Sequence, residues 1–142
     1  MRTAIKVALA ILLGCGALLL VLGLIIWTGI GDHEQLVAVH ISIGVVLILT
    51  LWTIAAIAAR SMVPARTVAF AAAWGLLVVL FGLAQEDLLR GSWHWTIQVL
   101  HVAISMSAIW WGRRLAQLIG RAPASQPSVA HPPTAASALR AR

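Results

Sequence analysis

WHWTIQVLHVAIS, residues 93–105, is the stretch around which the chain is organised. Its two histidines repeat an earlier pair, because a shift of 61 residues places His33 on His94 and His40 on His101. The members of each pair are seven residues apart, which is nearly two turns of an α-helix. Both therefore lie on one helix face, about 10 Å apart along the axis. Every histidine of the apolar part of the chain belongs to this repeat.

The composition indicates a membrane protein. Hydrophobic residues make up 61% of the 142 residues and charged residues 10%. In a typical soluble domain, about 45–50% of the residues are hydrophobic and roughly 25% are charged. Four uncharged runs are each long enough for a membrane-spanning helix, which needs about 20 residues. They cover residues 7–31, 35–59, 67–85 and 91–112. The sequence therefore predicts an all-α integral membrane protein with spans at 5–28, 36–59, 67–84 and 93–118.

The charges are segregated between the two ends of these spans. One end carries Lys6, Arg60, Arg66, Arg113, Arg114 and Arg121, and the other carries Asp32, Glu34, Glu86 and Asp87. The positive-inside rule then places both termini in the cytoplasm, and the short connections make neighbouring spans antiparallel. The net charge of +6 is explained by this distribution. We therefore expect the lipid bilayer as a partner and no nucleic acid.

The end of the chain differs in composition from the rest. Alanine, proline and serine dominate residues 122–138, and such a segment cannot bury an apolar core. We therefore predict a four-span bundle over residues 1–120 and a disordered cytoplasmic tail over residues 121–142. The single cysteine, Cys15, excludes an internal disulfide.

Two histidines are candidates for a binding site inside the membrane, where an ionisable side chain is costly and marks functional positions. The second and fourth spans run in the same direction. His40 lies eight residues beyond Asp32, and His101 lies nine residues beyond Ser92. The two imidazoles are therefore expected at nearly the same depth below the outer surface. Imidazoles placed in this way on parallel helices can hold a haem iron from both sides.

Further residues fit a haem at this position. Gly44 and Ser105 lie one turn deeper than the two histidines, so little bulk lies where a porphyrin plane would approach. Arg90, His33 and His94 are on the outer side, where haem propionates need cations or hydrogen-bond donors. The residues predict one haem b, ligated by the deeper histidine pair.

Two other interpretations of the histidines remain open. They can act as hydrogen-bonding groups between helices, in which case the protein is a small non-enzymatic subunit or accessory protein of a membrane complex. Alternatively, His33, Glu34 and His94, with Glu86, offer nitrogen and oxygen ligands for zinc or copper. That set would belong to an outer-face metal or haem handling protein.

Two short motifs carry a resemblance to a known family. His40 opens the motif HISIG, residues 40–44, and His101 lies within LHVA, residues 100–103. With these motifs the chain resembles the small bacterial four-helix membrane cytochromes b, the di-haem family that includes superoxide oxidase. In that family, an H-x-S-x-G histidine of the second span and a histidine of the last span ligate the outer haem. The resemblance implies a multi-pass protein of the bacterial inner membrane.

The chain departs from this family at the inner haem. The family has inner ligands early in the first span and further along the last one, whereas no histidine occupies residues 5–28 or 113–115 here. The resemblance therefore implies one outer haem. A weaker likeness is to one half of haem A synthase, which has histidines on its second and fourth spans. The Glu-rich histidine motif of that enzyme is missing.

The resulting hypothesis is one-electron transfer near the outer face of the membrane. The expected partner is a quinone or a larger membrane complex. An iron with two histidine ligands has no open position, which disfavours direct oxygen chemistry. Whether the chain is an enzyme is left open.

Overall fold

The computed structural model describes residues 2–89 and 91–121, which form four α-helices and no strand. The helices are α1 (Arg2–Thr28), α2 (His33–Ala59), α3 (Ala65–Ala84) and α4 (His94–Arg121). The all-α class is thus confirmed, and each helix end lies within three residues of the predicted span end. The helix α4 extends one residue into the predicted tail. The rest of that tail lies outside the described residues.

The turn between α1 and α2 explains where these two helices end and begin. Gly29 and Gly31 adopt φ angles of 71° and 91°, a backbone region that glycine enters without steric cost. Asp32 then caps α2, because its side chain accepts a hydrogen bond from the backbone N–H of Gln35 at 3.2 Å. This bond satisfies one of the amide groups left free at a helix N-terminus.

Three of the helices, α1, α2 and α3, are long and apolar enough to cross a membrane. The prediction of membrane spans is confirmed to that extent. The fourth helix, α4, has 28 residues and is long enough, but it is more polar than the other three. His101, Gln98 and the pair Arg113 and Arg114 lie within it.

The helices α2 and α4 form the centre of the bundle. Each of them contacts the other three helices, whereas the described residues of α1 and α3 do not contact each other. The pair α2 and α4 therefore separates α1 from α3. Since the repeated histidines lie on α2 and α4, this arrangement brings the two helices that carry them into direct contact.

The apolar core occupies only one end of the bundle. Its fully buried large side chains are Leu12, Leu51, Ile54 and Leu115. Close helix contact there depends on glycine, because a Cβ atom at Gly112 would overlap the side chain of Leu12. At the other end, the part of the chain that the structure describes has one buried hydrophobic residue, Ile97. The histidines therefore lie in the sparsely packed end.

Candidate functional site at the paired histidines

His40 and His101 occupy equivalent positions in two helices that contact each other. The helices α2 and α4 begin at His33 and His94, so His40 and His101 are each the eighth residue of their helix. Both rings are half-buried. The structure therefore brings the two imidazoles predicted as iron ligands into one region of the bundle.

Each of these rings lies against a glycine of an outer helix. A Cβ atom at Gly23 of α1 would lie 3.6 Å from Cε1 of His40. A Cβ atom at Gly82 of α3 would lie 3.1 Å from Cε1 of His101 and 3.8 Å from its Nδ1 atom. All four helices thus contribute to the surroundings of the pair. Phe81 adds a stacked contact, with its ring centroid 6.1 Å from that of His101 and the planes 13° apart.

A buried nitrogen of each ring lacks a hydrogen-bond partner in the described structure. These atoms are Nδ1 of His40 and Nδ1 of His101. Leaving a buried polar group unpaired costs about 1–3 kcal/mol, and each such group in a folded protein requires an explanation. Imidazole nitrogens without protein partners are available to bind a metal or to hydrogen-bond a bound group.

There is space beside the pair. A Cβ atom at Gly44 would meet no heavy atom within 4 Å, and Ser105, the corresponding residue of α4, is half-buried. The sparse packing of this end of the bundle agrees with the small residues at these two positions. Their contact with a cofactor stays a prediction.

The other residues predicted around the cofactor lie nearer the helix ends. The Nδ1–H group of His94 donates to the backbone carbonyl of Leu88 at 3.2 Å, which ties the start of α4 to the preceding connection. His33 and Glu34 are exposed in the first turn of α2. Arg90, the predicted cation for the propionates, lies outside the described residues.

The structure does not support a separate metal centre on the outer side. Across residues 2–89 and 91–121, no three histidine, cysteine, aspartate or glutamate side chains are grouped so that they could hold a metal ion. His33, Glu34 and His94 are therefore not brought together as a ligand set. A pair of axial imidazoles does not need such a group, because a porphyrin supplies the other ligands of its iron.

Sequence reasoning missed two features of this site. Gly82 was not identified at all, and Gly23 was identified only as a position where another helix or a flat cofactor can approach closely, with helix packing preferred. Glycines are common in membrane helices, so composition alone does not reveal which of them lies against a histidine.

A groove of about 490 Å³ between α2 and α3 is lined by Trp52, alanines, Val68 and Leu76. It has no ionisable group and is not part of the histidine site.

Comparisons of this chain with protein-family models, curated proteins and solved structures give no match. The candidate site therefore depends on the geometry of the histidine pair and on the physical chemistry of its surroundings.

Proposed function

We propose that the protein is a four-span membrane cytochrome that binds one haem b through His40 and His101 and transfers single electrons near the outer face. The observation that carries this proposal is the pair of buried imidazole nitrogens without hydrogen-bond partners, at equivalent positions of two contacting helices. The proposed partner is a quinone or a larger membrane complex. The proposed location is the bacterial inner membrane, with both termini in the cytoplasm.

The contacts between helices support an antiparallel arrangement. A Cβ atom at Gly16 would lie 3.9 Å from Leu47, whereas one at Gly23 would contact His40. Residue numbers thus rise along α1 as they fall along α2. The same holds for α3 and α4, since Trp74 bonds to Ser107 while Gly82 faces His101. With α4 as the fourth span, His101 lies within the bundle, and Arg113 and Arg114 lie towards the opposite end of the helix from His94.

The open space that a flat ligand could use lies at Gly44, one turn from His40. At Gly23 and Gly82 the two rings themselves pack closely against α1 and α3. The stacked contact with Phe81 restricts rotation of the His101 ring, as the residues around a metal-bound histidine commonly do. Because this end of the bundle is sparsely packed, the site can accept a porphyrin without displacing a well-packed core.

The chemistry follows from what the protein side chains do. Haem b, when bound, supplies a one-electron redox couple. His40 and His101 would hold its iron as two histidine ligands, which disfavours direct oxygen chemistry. The site would exchange electrons at its edge, near the outer surface.

The interpretation as a structural subunit requires hydrogen bonds from the histidines to neighbouring helices. Nδ1 of His40 and Nδ1 of His101 have no such bond within the described residues. An accessory subunit therefore accounts for these two atoms less well than a haem protein does.

Absorbance spectroscopy of the full-length protein, produced with haem available, tests the proposal. We expect a low-spin b-type spectrum with sharp bands on reduction and one haem per chain. His40→Ala and His101→Ala should each remove this spectrum, because each opens one face of the iron. His33→Ala and His94→Ala are matched controls one repeat position earlier. They should keep the spectrum and at most shift the reduction potential.

Two results would contradict this assignment. If the wild-type protein binds no haem, the structural-subunit interpretation is favoured. If the control variants at His33 and His94 lose the spectrum as fully as the other two, the axial ligands have been assigned incorrectly.

The topology is tested separately by thiol labelling of Ser137→Cys in a Cys15→Ala background. Labelling from the outer side alone would exclude cytoplasmic termini.

A further inference from the structure

One face of α4 forms a groove that points away from the bundle. Its volume is about 430 Å³, and it is lined by Met106, Ile109, Trp110, Arg113, Arg114 and Gln117. The three- and four-residue spacing of these side chains places them on one side of the helix. The buried side of the same helix contains Ala108, Gly112, Leu115 and Ile119. Ile109 packs against Gly16 of α1, whereas the other lining residues are exposed. The exposed part of the groove therefore faces the surroundings of the protein, which for a membrane bundle are lipid.

The groove changes from apolar to polar along its length. Met106 and Trp110 are 49% and 56% exposed, whereas the next turns carry the exposed pair Arg113 and Arg114 and the exposed amide of Gln117. A lipid shows the same sequence of properties, because its apolar acyl chain is followed by a polar headgroup. The gradient thus fits a lipid lying along the helix with its headgroup at the arginines.

The apolar part of the groove is held in position by neighbouring aromatic rings. Trp110 lies edge-on to Trp111, with centroids 4.9 Å apart and planes at 80°. Trp111 in turn contacts Phe70 of α3 at 4.9 Å. Edge-to-face aromatic pairs at such distances are favourable. The exposed indole is therefore supported from behind by the bundle.

Among the described residues, the acidic side chains lie far from the two arginines. All four acidic residues, Asp32, Glu34, Glu86 and Asp87, belong to the connections at the opposite end of the helices or their first turn. Within the described residues, Arg113 and Arg114 thus have no acidic side chain at their own end of the bundle, and their exposed guanidinium groups are available to an anionic ligand. A phosphate is well suited, because guanidinium groups bind its oxygens in a bidentate manner.

We propose that this groove binds an anionic phospholipid. Its phosphate contacts Arg113 and Arg114 with support from the amide of Gln117, and an acyl chain lies along Met106, Ile109 and Trp110. The site is on the far side of α4 from the histidine pair and does not depend on haem binding. The positive-inside rule relates these arginines only to the orientation of the helices in the membrane. The proposed site gives them a specific ligand.

Fluorescence quenching by brominated lipids tests this site. The full-length protein is reconstituted in phosphatidylcholine vesicles that contain a small, equal fraction of either brominated phosphatidylglycerol or brominated phosphatidylcholine. The difference between wild type and Trp110→Phe isolates the signal of Trp110 from that of the other tryptophans. Each basic residue near a membrane surface strengthens anionic lipid binding about fivefold, so two should give about a 25-fold preference for phosphatidylglycerol.

Two double variants separate a specific site from general surface charge. Arg113→Gln/Arg114→Gln should lose the preference, because it removes both phosphate contacts. Arg60→Gln/Arg66→Gln removes the same charge from exposed positions outside the groove and should keep it. Equal quenching of Trp110 in the wild-type protein by the two brominated lipids would overturn the proposal, whatever the arginine variants show. Equal loss in both double variants would also overturn it, since the attraction would then be diffuse.

Discussion

Replacing Gly112 with alanine tests one of the closest contacts between helices in the described part of the bundle. The new methyl group would overlap Cδ2 of Leu12 and lie 3.5 Å from Cδ1 of Leu51. Carbon atoms in favourable contact are about 3.5–4.0 Å apart, so Leu12 must move by on the order of 1 Å. Neither leucine has any exposed surface. There is consequently no open region into which the displaced side chain can rotate.

Two opposing effects determine the magnitude. Alanine in a helix interior stabilises by about 0.5–1 kcal/mol relative to glycine, whereas overpacking a well-packed core costs about 1–3 kcal/mol. Gly14→Ala is a matched control, because a Cβ atom at Gly14 in the middle of α1 would meet nothing within 4 Å. The helix-propensity effect is common to both variants. Gly112→Ala should therefore be about 1–3 kcal/mol less stable than Gly14→Ala.

Unfolding of the purified protein by sodium dodecyl sulfate in mixed micelles, followed by tryptophan fluorescence, measures this difference. A double-mutant cycle then identifies the contact responsible. Leu12→Ala alone should cost about 2–5 kcal/mol. Combined with Gly112→Ala it should cost less than the sum, since the new methyl group partly fills the space that Leu12 vacates. Equal stability of the two glycine variants, or additivity within about 0.5 kcal/mol, would refute the described packing of α1 against α4.

Three further predictions concern the site and the connections that position it. Gly82→Leu should abolish the low-spin spectrum while circular dichroism shows unchanged helix content, because the added side chain would occupy the place of the His101 ring. Gly14→Leu, at an open position of α1, should keep that spectrum, and loss in both variants would point to a general folding defect. Trp74→Phe removes indole hydrogen bonds to Ser107 at 2.7 Å and to a backbone carbonyl of α4 at 3.2 Å. The free energy of unfolding should fall by about 0.5–1.5 kcal/mol in total, because the two acceptors share the single indole N–H, and no change would mean that this bond does not join α3 to α4. Asp32→Ala should lower the stability by about 1 kcal/mol through loss of the cap of α2. Asp32→Asn, which keeps a side-chain acceptor, should restore most of it.

The extents of the helices could be predicted from the sequence because they depend on local properties. Long uncharged runs interrupted by charged or glycine-containing turns determine where a helix suited to lipid begins and ends. The two H-x6-H pairs could likewise be identified as equivalent. Both α2 and α4 begin at the first histidine of a pair, so matched spacing in the sequence becomes a matched position in the helices. The histidine pair was thus found from residue spacing alone.

The neighbours of those histidines were decided only by the tertiary structure. No local pattern states that Gly23 faces one ring and Gly82 the other, because such contacts depend on the rotation of α1 and α3 about their own axes. That rotation follows from packing at the opposite end of the bundle, where Gly112 admits Leu12 and the core is closed. The same packing turns the arginine-containing face of α4 outward. The sequence by itself determined which helices form and which residues they carry, and the helix packing decided which surfaces of those helices meet.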